Sequence, residues 1–408
     1  MRMRTLFSIQ PLVLPPKSNP TILVEQALAS PFGTAPLAES LHPQDRICIL
    51  LDDITRPTPH KVLLPPLLRG IGKCGVPDKN ITFLIALGTH RPMSREEMEQ
   101  HLGSEIASRF HVLNHEYANQ DALFLAGEAP GGIPIYVNRF IKEAHFSIGI
   151  SSIVPHAQVG WGGGGKIVLP GISGAETVGA MHTFAASLPG YPRLAGQVET
   201  PVRLLIEEIA RKAGLSFIVN AIFNAHYQLI DVVAGDPVLA HRAGVERAKE
   251  IFLRPIPERA DIVVVDAHPA DLDYWQGLKP LTLGHLAVKP GGILILQGRF
   301  PEGISRTHGE LCRYGRCSKK EFEQVLQEDA LEDGAAIGAL YQHILVREYS
   351  TIFCVSPGLS DKDCEALGFE RFPSVEEALK EAENRTSKQA TVGYIVEGGE
   401  TVPILQNL

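Results

Sequence analysis

Cysteine is scarce in this chain, six residues among 408, which excludes a disulfide framework as the organising device. The one close pair, Cys312 and Cys317, lacks the second Cys/His pair that would complete a zinc pattern. Cys48 and Cys354 lie inside apolar runs, where a reduced thiol behaves as a small hydrophobe. A reduced, cytoplasmic setting is the expectation. No run approaches the roughly 18 consecutive apolar residues of a membrane-spanning helix. The opening MRMRTLFSIQPLVLPP has no Ala-x-Ala cleavage site and is interrupted by Pro11, so it reads as a first strand rather than a secretory leader. Basic blocks are missing too. With 38 Lys+Arg against 46 Asp+Glu, and a net charge of −8, nothing is built to follow a phosphate backbone, and no nucleic acid partner is expected. Neither internal repeats nor low-complexity segments occur.

What is present is ordinary for a globular enzyme: 44% hydrophobic and 21% charged residues. Short apolar runs at 47–51, 82–87, 146–150, 262–265, 293–296 and 351–355 read as strands. Helical periodicity marks 60–73, 94–102, 202–213 and 239–252, with Ser94 and Glu97 spaced as a capping box. This alternation predicts an α/β chain of two domains with mainly parallel sheets, the second Rossmann-like, and a site in the cleft between them. The expected division is 1–256 and 257–408, placed at the LRPIPERAD stretch.

Four clusters carry the chemistry. Asp52-Asp53-Ile54-Thr55-Arg56-Pro57 follows a buried strand, and the Arg56 fork suits a carboxylate or phosphate. Gly88-Thr89-His90-Arg91-Pro92 follows another strand and offers an imidazole that titrates near neutrality. The richest runs from His156 through Gly162-Gly163-Gly164-Gly165-Lys166 and on to His182. Its glycines suit close approach of backbone N–H groups to an anion. Gly160 to Lys166 begins a phosphate-loop pattern, but Ile167 stands where that pattern needs Ser or Thr for magnesium. The fourth, Trp275-Gln276-Gly277-Leu278-Lys279, combines an aromatic wall, a carboxamide and an ammonium.

In this order, the four clusters resemble the nickel-dependent lactate racemase family over nearly the whole chain. The resemblance implies a nickel-pincer nucleotide, pyridinium-3,5-bisthiocarboxylic acid mononucleotide nickel, covalently bound to Lys166, with His182 as the metal ligand. It implies His90 and His156 as the catalytic acid/base pair. Arg56, Gln276, Lys279 and Trp275 would bind a small 2-hydroxy acid, lactate or a homologue, with Asp53, Gly163, Gly164 and Gly165 at the cofactor. Cofactor-biosynthesis proteins would be partners. Trp275 stands where family members carry tyrosine, and residues 334–339, Gly/Ala-rich, stand where they carry a second-domain tryptophan. The expectation is a turn there that leaves space for a side chain longer than methyl. Two rival readings remain: a nickel-independent enzyme binding a nucleotide or phosphosugar through the Gly-rich loop, and a non-catalytic nickel or ligand carrier.

Overall fold

Two six-stranded sheets, each covered by helices, divide the molecule. The structure, a computed structural model, describes residues 3–406 apart from 130, 131, 329, 332 and 388. The first sheet runs Leu229–Gly235, Phe217–Phe223, Phe146–Ser152, Ile47–Asp52, Ile81–Ala86, His111–Asn114, parallel except for its first pair. Ile47–Asp52 is buried along its whole length, as a central parallel strand must be. Its alternate residues face opposite ways. Ile47, Ile49 and Leu51 join the core under helices Pro20–Ala29 and His60–Lys73, while Cys48 and Leu50 meet Ile206 and Ile209 of helix Pro201–Ala213.

The second sheet runs Arg4–Ile9, Thr391–Ile395, Ala260–Asp266, Val288–Gln297, Thr351–Val355, Glu370–Arg371 and is parallel throughout. Helices Tyr274–His285 and Ala336–Tyr349 pack on one face and Val375–Arg385 on the other. The predicted helices 60–73 and 239–252 form with those bounds, and the Ser94–Glu97 capping box closes in both directions. All six cysteines are free. Among the described residues, no helix is long and apolar enough to cross a membrane.

Sheet membership corrects the division of the chain at 256/257. Arg4–Ile9 is an edge strand of the second sheet, not part of the first domain. Phe7 lies flat over Gly393, where even a Cβ would sit 2.0 Å from its ring. Phe7 and Ile9 are buried in the second domain's core. The chain thus starts in one domain, builds the other and returns.

Candidate active site

Three neighbouring parallel strands end at one place. Phe146–Ser152, Ile47–Asp52 and Ile81–Ala86 lie side by side, so the loops carrying His156 to Lys166, Asp52 to Arg56 and Gly88 to His90 converge at their C-terminal ends. From the second domain, the N-terminal turns of helix Tyr274–His285 face them. Together they line an open cleft whose empty space, counted out into the solvent at its mouth, is about 1210 Å³. Asp53, Arg56, His90, His156, Gly163, Lys166, His182, Trp275, Gln276 and Lys279 all line it.

His90 is held in one tautomer. Its Nδ1 lies 2.6 Å from Asp53 Oδ2, and an ionised carboxylate only accepts, so Nδ1 carries the hydrogen. Nε2 then has a lone pair, which receives an N–H from Gln276 Nε2 at 3.0 Å. The same carboxamide accepts from Arg56 Nη1 through its Oε1 at 2.9 Å, so its orientation is consistent at both ends. Burial alone would raise the Asp53 pKa. The charge and hydrogen bond of His90, with Arg56 and Thr55, hold it well below the usual carboxylate range instead.

His156 is arranged the other way. Its Nδ1 accepts the backbone N–H of Gln158 at 3.3 Å, leaving Nε2 with the hydrogen when the ring is neutral. Burial, then the cations Lys166, Arg56 and Lys279, push its pKa far down. The same forces act on Lys166, whose ammonium is disfavoured first by burial and then by Arg56, Arg203 and Lys279. This shift favours the free amine over the ammonium, and the free amine is the nucleophilic form that attachment to an acyl group requires. Burial also lowers the Lys279 pKa, while the buried Glu400 carboxylate works against that shift.

His182, on helix Ala175–Ser187, donates its Nδ1–H to the Ala335 carbonyl of the second domain at 3.0 Å. Nε2 therefore carries the lone pair, His182 lines the cleft, and burial lowers its pKa to about 4, so the ring is neutral. A neutral imidazole whose other nitrogen is tied to a carbonyl is how a metal-ligating histidine is prepared. The residues fit the implied group: one nucleophilic amine and one oriented imidazole face the same cleft.

Two expectations need correcting. Gly164 and Gly165 do not face the cleft. Gly164 donates its N–H to Asn220 Oδ1 at 2.8 Å and has φ +59°, and a Cβ on Gly165 would meet Ala210 at 2.8 Å. The loop is glycine-rich because it is pressed between buried side chains. Arg203 donates to the Trp161 and Gly163 carbonyls, and His241 Nε2 lies 2.9 Å from the Gly162 carbonyl. The Gly164 N–H is thus one backbone donor of the loop that is already occupied within the protein. Nor do residues 334–339 form an open turn. Ala336 starts helix Ala336–Tyr349 and is fully buried in the core, and a Cβ on Gly338 would lie 2.6 Å from His182 Cβ. Small residues here let two helices touch, and only Ala339 of the stretch lines the cleft.

Several residues line or brace the site without having been given a role from the sequence. Gln342 and Gln158 also line the cleft and are joined at 3.1 Å. Asp52 is braced by His60 Nε2 at 2.7 Å, Thr58 Oγ at 2.6 Å and, through its carbonyl, His101 Nε2 at 2.9 Å. Asp52, His60 and His101 are close enough to hold a metal, but these hydrogen bonds already account for their convergence. Nothing in the local sequence marks His101 or Gln342 as part of the site.

Comparisons with known proteins bear on the family and the fold. Residues 3–189 match the family described as the lactate racemase N-terminal domain. A lactate racemase from Thermoanaerobacterium thermosaccharolyticum is 30% identical over 69% of this chain and 66% of its own, just under two thirds of that relative. One from Lactiplantibacillus plantarum is 27% identical over 92% of this chain and 89% of its own. The solved apoprotein structure of the Thermoanaerobacterium thermosaccharolyticum lactate racemase superposes with a TM-score of 0.86 at 26% identity, covering 99% of this chain and 95% of that one. A Thermotoga maritima protein shares the fold, with a TM-score of 0.76 at 22% identity over 95% of this chain and 98% of its own. The chain belongs to the lactate racemase family.

Proposed function

We propose that the protein interconverts the enantiomers of a small 2-hydroxy acid, with a nickel-pincer nucleotide tethered to Lys166 and its metal held by His182. One observation carries this reading. A single cleft holds a nucleophilic lysine, an oriented neutral imidazole and two further histidines that present opposite hydrogen-bonding states. The C2 proton of a 2-hydroxy acid is very weakly acidic beside an ionised carboxylate, so the C–H bond breaks more easily as hydride. When bound, the cofactor supplies a reversible hydride acceptor at C2, and the protein's task is orientation and proton handling.

Arg56 and Lys279 face the space where the substrate carboxylate would sit. The Gln276 carboxamide, now spanning Arg56 and His90, is placed to exchange those bonds for the substrate oxygen. The His90 Nε2 lone pair takes the hydroxyl proton of one enantiomer, with Asp53 stabilising the imidazolium that results. His156 exchanges a proton with the oxygen of the other enantiomer, so the pair shares one proton between them. Burial disfavours the His156 imidazolium, assisted by Lys166 where its amine is protonated and by Arg56 and Lys279; acylation of Lys166 removes the first charge, and a bound carboxylate offsets the other two. Substrate and tether thus relieve the charge that depresses its basicity, and His156 becomes able to hold the proton when the site is filled.

The test uses protein produced together with the cofactor-biosynthesis proteins. Intact mass should show an adduct that Lys166→Ala removes. His182→Ala should keep the adduct and lose most of its nickel. An adduct surviving in Lys166→Ala, or no racemisation of any 2-hydroxy acid by loaded wild type, would overturn the reading.

A further inference from the structure

His308 lies outside both the cleft and every sequence motif, yet its three recognition surfaces are all used. It is buried, with 3% of its surface exposed. Its Nδ1 donates to Asp333 Oδ2 at 2.5 Å, and its Nε2 lies 3.2 Å from the hydroxyl of Thr89, the residue before His90. Its ring stacks on Trp275 with centroids 3.6 Å apart and planes 16° from parallel. The second Asp333 oxygen accepts the Ala335 N–H at 3.0 Å, and the Ala335 carbonyl is the group that fixes the tautomer of His182. The Asp333 N–H in turn points to Glu310 Oε1 at 3.4 Å. One imidazole thereby touches the first domain at the catalytic loop and the second domain at two places that shape the site.

We propose that His308 is a positioning residue for the reaction, holding Trp275 as the wall of the substrate compartment and, through Asp333, the carbonyl that orients His182. This rests on the roles assigned to Trp275 and His182 above. Trp275 sits in the first turn of its helix, with its backbone N–H given to the Ile304 carbonyl. The stacking contact sets the plane of the indole where it borders the cleft. Without it the indole can rotate into the compartment or away from it. The second arm acts on the metal ligand. An imidazole released from a carbonyl populates both neutral tautomers, and only the one with hydrogen on Nδ1 offers Nε2 to a metal. The Thr89 contact ties both arms to the loop bearing His90, so they are set only when the two domains are together.

The two arms can be tested separately, first without cofactor. The chain has two tryptophans, and Trp161 is wholly buried, so quenching of apoprotein fluorescence by acrylamide reports on Trp275. His308→Ala should raise the quenching constant at least about twofold, whereas His308→Phe, which keeps a ring against the indole, should stay near wild type. Nitrogen NMR of histidine-labelled apoprotein, assigned with His182→Asn, should show His182 in the Nδ1–H tautomer. Asp333→Ala should give mixed tautomers. In loaded enzyme, His308→Ala should raise KM about fivefold, the equivalent of one lost aromatic stack, with a smaller change in kcat. Asp333→Ala should lower kcat and speed nickel loss to a chelator. Thermal melts check folding, and His308→Leu, which fills the volume without an aromatic ring to stack on the indole, replaces the alanine variant if it does not fold. Unchanged quenching in folded His308→Ala, or a single unchanged His182 tautomer in Asp333→Ala, overturns the proposal. Shifted apoprotein signals with wild-type KM, kcat and nickel retention overturn it as well. Wild-type holoenzyme that racemises nothing overturns the functional reading instead, since the apoprotein signals do not depend on it.

Discussion

At the residue scale, the Asp53–His90 pair does two things with one hydrogen bond. The carboxylate fixes which imidazole nitrogen bears hydrogen, and the same contact lowers its own pKa. Asp53→Asn keeps the shape but lets the amide donate, which favours the wrong tautomer. Racemisation should fall by about 10²–10⁴-fold, with adduct and nickel retained on a loaded preparation. The pair also predicts a pH dependence of stability. A carboxyl whose folded pKa lies below its unfolded value, about 3.9, stabilises the fold fully above that value and progressively less as pH falls through the folded pKa. Denaturation of wild type should therefore show a steeper acid loss below about pH 4 than Asp53→Asn. Equal slopes would mean that the fold does not lower the Asp53 pKa.

At the element scale, the close contact of helices Ala175–Ser187 and Ala336–Tyr349 sets the pocket wall. Gly338 lets the second helix lie against His182, and Gly179 faces the Gly334 carbonyl with 2.8 Å to an added Cβ. Ala336 points into the core, so Ala336→Trp should overpack it and cost about 1–3 kcal/mol in chemical denaturation without changing substrate preference. Ala339 is the position that faces the cleft. Ala339→Leu should lower kcat/KM for 2-hydroxy acids with longer side chains by roughly 10–200-fold relative to lactate. A preference unchanged by Ala339→Leu would place the substrate side chain elsewhere. The Gly-rich loop gives a third case. Gly164→Ala meets both a left-handed φ and the His241 ring at 2.9 Å, so it should lower stability by about 1–3 kcal/mol in the apoprotein, measured by thermal melting.

At the scale of the whole molecule, the domains are joined across the cleft by contacts beside the catalytic groups. Arg56 meets Gln276, His182 meets Ala335, and Arg91 pairs with Glu302 at 3.0 Å. They are also joined by the chain itself, because strand Arg4–Ile9 completes the second sheet. Phe7 fills the slot over Gly393, so Phe7→Ala should cost about 3–5 kcal/mol in urea denaturation. The loss should fall first on the second domain, read by hydrogen exchange of the Thr391–Ile395 amides. Loss of protection confined to the first sheet would contradict the assignment of that strand.

The chain's local order was enough for the α/β class, most strands and helices, and the residues that meet in the cleft. Buried parallel strands are continuous apolar runs, helices announce themselves by period and caps, and strand-end loops gather wherever adjacent parallel strands end. What the chain's order left open is decided by long-range packing. The first strand crosses to the second sheet because Gly393 accepts Phe7, a pairing of residues far apart in sequence. Gly164 and Gly165 turn toward Asn220 and Ala210 rather than an anion because those side chains arrive from a distant strand and helix. Residues 334–339 pack on a helix because glycine and alanine permit contact as readily as they leave a gap, and composition alone does not distinguish the two. His308, His101 and Gln342 carry no local signature at all, since their roles exist only once partners 25 or more residues away are in place.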